Sequence, residues 1–249
     1  MRIANSEGRV ASWGRLLTPI VMLTCFNFGS GPAAAQSRPA GELTTTQAAQ
    51  QERENRARAR RLCESGAKFL LAVQEADGGW ASQSGPGVTA LVVKALAQEP
   101  AVGPRHAAVR RGVEFVLRSQ RDDGGIYSAE GLLKNYESSV ALSMLAVLKD
   151  PQHAKSMARA QQFLKDNQWD EGEGKTPADP FYGGAGYGQH KRPDLSNTQM
   201  MLEALADSGL PKDDPAYQKA LVFIQRCQML GEMNDQAFAR GSSEGGFIY

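Results

Sequence analysis

The chain has 249 residues, 41% hydrophobic and 22% charged, a balance that supports a packed core and excludes a disordered chain. Lys plus Arg at 28 against Asp plus Glu at 27 leaves a formal charge of +1, so no global field draws it to nucleic acid or an anionic membrane. Partners must be read from local features.

In chain order, residues 1–35 read as a signal peptide. Arg2, Arg9 and Arg15 precede a mostly apolar stretch from Leu16 to Phe28, and Ala33 to Ala35 form a small-residue cleavage site before Gln36. The stretch is too short to span a bilayer, which needs about 20 apolar residues, so no membrane span is expected. The expected location is exported, periplasmic or secreted. Residues 36–52 read as a linker, and the folded domain is expected from 53 to 249. The basic run from Arg53 to Arg61 fits a solvated helix face better than a polyanion patch. Cys63 and Cys227 fall in helical segments of different repeats, where small buried hydrophobes are expected rather than a disulfide. Neither sits in a Cys/His cluster with zinc-like spacing, so no metal and no cofactor are expected.

Four segments superimpose without gaps, starting at Gly66, Gly112, Ala160 and Ala220. Phe recurs at 69, 115, 163 and 223, and Gln closes each unit at 74, 120, 168 and 228. Apolar residues upstream complete a helical stripe, with a small residue midway that allows close helix approach. The Phe column is expected to be core. After each Gln comes a glycine pair, at 78–79, 124–125, 183–184 and 245–246, suited to ending a helix and reversing the chain. A second, more apolar helix is predicted after the first three turns, over Val88–Ala97, Ser138–Leu148 and Ser196–Ala206. Its columns align as Thr89, Val140, Thr198 and as Ala95, Ala146, Ala204. The result is an all-α stack of helical hairpins with a period of about 46 to 60 residues, outer amphipathic and inner apolar helices alternating.

The stretch QEADGGW from Gln74 to Trp80 resembles the Gln-Trp repeat of squalene and oxidosqualene cyclases, and QRDDGGI from Gln120 to Ile126 is a variant of it. The glycine turns also resemble those of protein prenyltransferase β subunits. The resemblance, over about residues 53 to 249, is to the terpenoid cyclase and protein prenyltransferase superfamily. It implies an α/α toroid in which Gln74, Trp80, Gln120, Gln168 and Gln228 are structural ties. With three full hairpins and one half, the chain is expected to form an open arc. Its uncovered last helices imply either a longer reading frame or self-association through the C-terminal edge.

The same resemblance shows what is missing. Squalene and hopene cyclases protonate an alkene with an acid from an AspXAspAspThr motif, since so weak a base needs clustered carboxyl groups. The best-placed segment here runs Asp194, Leu195, Ser196, Asn197, Thr198, with Ser196 at the donor position. Prenyltransferases hold zinc with Asp, Cys and His, and no AspXCys occurs. His106 and His153 start outer helices, where a solvated or capping role is expected. The pairs Asp122–Asp123 and Asp213–Asp214 fall on turns and fit capping.

The third repeat departs most, with Trp169 to Tyr182 between its Gln and its glycine pair where the first repeat has only Glu75 to Asp77. Loops on a rigid scaffold are favoured binding places, and this one offers Tyr182, Tyr187, His190, Arg192, Asp194 and Asn197. The expected function is a non-catalytic binding or scaffold toroid with an apolar, isoprenoid or glycan ligand and no nucleic acid. The alternatives are a cyclase-like or prenyltransferase-like enzyme fragment, or a toroid glycan hydrolase or lyase. A polar groove would favour glycans, an apolar cavity isoprenoids.

Overall fold

The computed structural model describes residues 45–188 and 192–248. The expected signal peptide, His190 and Tyr249 lie outside them. The compact unit is Gln47–Tyr249. Among the described residues there are seven α-helices and no strand, only isolated bridges such as Gln120 to Ile126 and Gln228 to Phe247.

The outer helices are α1 (Thr45–Ala72), α3 (Ala107–Leu117), α5 (Ala154–Asp166) and α7 (Pro215–Cys227). The inner helices are α2 (Pro86–Gln98), α4 (Lys134–Leu148) and α6 (Leu195–Asp207). Helix α1 starts at Thr45, inside the segment read as a linker, and its residues through Leu62 are exposed. Helix α4 lies between α2 and α6 and is buried almost throughout from Asn135 to Leu145, because neighbours cover both flanks. At their C-terminal ends the three inner helices converge on Asp207, which accepts from Ser143 Oγ at 2.8 Å and pairs with Lys94 at 3.1 Å. No described helix is long and apolar enough to cross a membrane.

Each of the first three glycine turns is latched to its inner helix by one hydroxyl. Thr89 Oγ1 accepts from Trp80 N at 2.9 Å, Ser138 Oγ from Ile126 N at 2.9 Å, and Thr198 Oγ1 from Ala185 N at 2.9 Å. The structural column is therefore Thr89, Ser138, Thr198, and the alignment that put Val140 in it is corrected by two residues. The latch needs a hydroxyl, whereas apolar matching alone lets a helix slide.

Each of the first three Gln residues ties its own turn to the next outer helix. The Gln74 amide donates to Gly78 O and Ala108 O, both at 2.8 Å; Gln120 does the same to Gly124 O and Ser156 O, and Gln168 to Gly183 O and Ala216 O. The first glycine passes under the next helix. Gly124 has φ +94°, and a Cβ there would lie 2.5 Å from Arg159 O, so both backbone strain and contact require glycine.

The Phe column corrects an expectation. Phe163 and Phe223 are 3% and 4% exposed and Phe115 is half-buried, but Phe69 is 64% exposed. The reason is directional. A methyl group on Gly79 would lie 2.9 Å from Phe115, one on Gly125 2.8 Å from Phe163, and one on Gly184 2.9 Å from Phe223. Each Phe is thus a wedge seated on the second glycine of the preceding repeat, and α1 has no described preceding repeat to receive Phe69. Cys63 on the same helix is exposed rather than buried for the same reason, while Cys227 is half-buried; both are free thiols.

Candidate functional site

The N-termini of α4 and α6 meet the enlarged third-repeat turn. Asp194 is the N-cap of α6, its Oδ1 accepting from Asn197 N at 2.8 Å and Ser196 Oγ at 2.7 Å. Its Oδ2 accepts from Asn197 Nδ2 at 2.8 Å. Asn135, in the first turn of α4, donates to Asn197 O at 3.2 Å, and its buried Oδ1 has no partner among the described residues. Two residues on, buried Glu137 accepts from Ser128 N at 2.8 Å and Ser128 Oγ at 3.0 Å. Burial pushes the Glu137 carboxyl above its ordinary range, and the Ser128 bonds oppose that.

The enlarged turn is a structured body. Asp170 caps a short 3₁₀ turn over Glu171–Glu173 in a reciprocal capping box. Lys219 from α7 reaches Asp170 and Glu171, each at 2.7 Å, and Tyr182 OH donates to Glu171 at 2.8 Å. The Lys219 hydrogen bond leads in holding the Glu171 carboxyl down to about 2. Arg226, 6% exposed, donates to Pro177 O at 2.6 Å, to Asp179 O at 2.7 Å and to both carboxylate oxygens of Asp235. It clamps the enlarged turn to the fourth.

A cavity of about 460 Å³ opens between this body and α4, lined by Asn135, Asn167, Trp169, Glu173, Lys175, Gly186 and Gly188. Lys175 Nζ lies 5.1 Å above the Trp169 ring and pairs with Asp179 at 3.1 Å. Burial raises the Glu173 carboxyl above its ordinary range. Two amides, one carboxyl, one ammonium and an indole face suit a polar, neutral or zwitterionic ligand.

The residues singled out from sequence are only partly assembled here. Asp194 and Asn197 form the cap network behind Asn135. Tyr187 is half-buried, and its carbonyl accepts from Asn135 N at 3.4 Å. Tyr182 is buried and committed to Glu171, away from the lining; Arg192 is exposed. Sequence reasoning missed Asn135, Asn167, Trp169, Glu173 and Lys175. A Trp inside an insertion was the available signal. Elsewhere, His106 caps α3 by accepting from Ala108 N at 3.1 Å, and Asp123 and Asp214 cap their own turns. Among the described residues no group of His, Cys, Asp or Glu is arranged for a metal ion. A second cavity, of about 770 Å³, lies at the outer layer between α3 and the loop entering α5.

No curated protein matches the chain. Residues 83–191 match the family described as the squalene-hopene cyclase C-terminal domain. That span holds the inner helices α2 and α4, the second glycine turn and the enlarged third one. The match over residues 83–191 supports the resemblance of the Gln-Gly-Gly repeats to the terpenoid cyclase and protein prenyltransferase superfamily.

Proposed function

We propose that this protein is an exported, non-catalytic binding toroid of that superfamily, with its ligand site at the enlarged third turn. The observation that carries the reading is the commitment of Asp194. Its two oxygens accept three hydrogen bonds as a helix cap, Ser196 stands at the position of the cyclase proton donor, and no carboxyl group is among its partners in the described residues. Protonating an alkene requires an acid strengthened by clustered carboxyls, which this arrangement does not supply. Purified protein incubated with squalene, or with a prenyl diphosphate and a Cys peptide, should give no product. Turnover abolished by Asp194→Asn would overturn the reading.

The cavity chemistry favours a glycan-type ligand over an isoprenoid one. Amide groups and paired charges beside an indole face suit hydroxyl-rich rings, while an isoprenoid would leave those groups unpaired. Oligosaccharides should quench Trp169 fluorescence, and Trp169→Phe should remove that response while Trp80→Phe leaves it. Quenching by isoprenoid alcohols alone would reverse the ligand class. Export rests on the leader of residues 1–35, and N-terminal sequencing of the secreted or periplasmic protein should begin at Gln36.

A further inference from the structure

The joint between successive repeats occurs three times in this chain, always with the same parts. A Phe on the incoming outer helix seats on the second glycine of the preceding turn, as Phe115 on Gly79, Phe163 on Gly125 and Phe223 on Gly184. The backbone four residues before that Phe, at Arg111, Arg159 and Lys219, presses on the first glycine. The carbonyl seven residues before it, at Ala108, Ser156 and Ala216, accepts the second amide bond of the preceding Gln. In the first joint the small residue Gly112 also receives the edge of Trp80, the aromatic that follows the glycine pair.

Among the described residues each half of one more joint stands open, at opposite ends of the array. The incoming half is on α1, where Leu62 is 65% and Phe69 64% exposed and nothing lies within 4 Å of a Cβ on Gly66. The receiving half is the fourth turn. Nothing lies within 4 Å of a Cβ on Gly245 or Gly246, and Phe247, the counterpart of buried Trp80, is 55% exposed. Gln228 makes its first bond, to Gly245 O at 3.1 Å, and has no described counterpart of the second.

We propose that these halves fit one another between two copies of this chain, α1 of one copy docking on the Gly245–Gly246 turn of the next. Phe69 seats on Gly246, Gly66 receives Phe247, and the Leu62 carbonyl accepts the second N–H of the Gln228 side-chain amide. The contact continues an interface already built three times, which is why a second copy is the fitting occupant. It is heterologous, so it propagates head to tail rather than closing as a symmetric pair. It stands whether or not the third-turn cavity binds a ligand.

The test is sedimentation velocity on the purified protein over a wide concentration range, with variants that block one end each. Phe69→Glu, or Leu62→Glu as a second choice, blocks the head. Gly246→Leu fills the socket; Gly246 has no positive φ and open space around it. All three sites are exposed or open, so melting curves should match the parent. The parent should associate as concentration rises, and each variant alone should weaken that about thirtyfold or more, as loss of a central aromatic anchor does. Mixing Phe69→Glu with Gly246→Leu leaves one good head and one good socket, so the mixture should form a discrete 1:1 dimer. A parent that stays monomeric, variants that associate like the parent, or a mixture that does not pair would each overturn the proposal.

Discussion

The wedge geometry makes the cost of losing a Phe depend on its place in the array. Phe163 is 3% exposed, sits under Gly125 and stacks on Tyr127 with centroids 5.6 Å apart. Phe163→Ala should therefore cost about 3 to 5 kcal/mol, the range for a buried ring that leaves a cavity. Phe69 occupies the same column but is 64% exposed, so Phe69→Ala should cost about 0.5 kcal/mol or less. The receiving side carries the mirror-image test. A methyl group on Gly125 would lie 2.8 Å from Phe163 and 2.6 Å from Tyr127, so Gly125→Ala should cost about 1 to 3 kcal/mol through overpacking. On Gly246 the same methyl meets nothing within 4 Å, and Gly246→Ala should be neutral within about 0.5 kcal/mol. Gly125→Ala with Phe163→Leu should cost less than the sum of the singles, because the smaller side chain yields part of the space. Urea unfolding followed by circular dichroism reads these variants, with Phe163→Leu alone beside them, through the midpoint at constant slope, on dilute protein so that association does not contribute. Phe69→Ala as costly as Phe163→Ala, or strictly additive Gly125 and Phe163 changes, would refute the inter-repeat wedge.

Burial holds the Glu137 carboxyl above its ordinary value, so the folded state binds the extra proton and stability falls as pH rises through and above about 4. Glu137→Gln keeps an acceptor for Ser128, and its melting temperature should gain on the parent's as pH goes from 4 to 7; a pH-independent difference would contradict this. Arg226 and Gln236 hold Asp235 down to about 2, so that pair stabilises the fold above the ordinary carboxyl value and is lost as pH falls towards 2. Arg226→Lys cannot reproduce the planar fork and should leave the 175–181 loop cleaved faster in limited proteolysis, by about tenfold if ~1.4 kcal/mol of local stability is lost. Burial raises the Cys227 thiol to about 11, so a maleimide at pH 7 should label exposed Cys63 first; faster labelling of Cys227 would contradict its burial.

Much of the fold was legible because its determinants are local and repeated. Gln, glycine pair and Phe fall at fixed spacing, and the two helical periods around them fix outer and inner layers. What the repeat hid was direction. Four aligned Phe residues look equivalent in sequence, yet each is buried by the glycine of the repeat before it, so the first of them is uncovered. The inner-helix register failed for a related reason. In α4, apolar matching favoured Val140, while the position is set by the Ser138 hydroxyl closing on Ile126, a polar contact that hydrophobic periodicity does not encode. The candidate site was legible as a region and not as a residue set. Asp194 and Asn197 announce a cap, but Asn135 comes from another inner helix, and only packing of α4 against α6 brings its amide to Asn197.

The third repeat shows how a departure from the pattern builds a site. In the first two turns the residue after the glycine pair is Trp80 or Ile126, each buried, and Trp80 also donates from its indole to Leu70 O at 2.7 Å. In the third turn that residue is Ala185, followed by Gly186 and Gly188, so the volume that locked the earlier turns is missing. Trp169 makes the same two backbone bonds to its glycine pair, at 2.7 and 2.9 Å, that Glu75 and Arg121 make in the first two turns, and its ring meets Phe181 edge to face, while Arg226 and Lys219 from α7 fasten the far side of the insertion. A cavity remains beside Gly186 and Gly188, faced by Trp169, Glu173 and Lys175 from the loop and by Asn135 from α4 and Asn167 at the end of α5. The change from a bulky residue to Ala185 thus coincides with the cavity of the candidate site, while the Gln168 and Thr198 ties of the regular turns are kept. Buried Arg226 fastens this repeat with four hydrogen bonds, where Arg118, three residues after Phe115 as Arg226 is after Phe223, gives the first turn one, to Asp77 O at 2.9 Å, so the enlarged turn is held by an extended form of a clamp the regular joint already has.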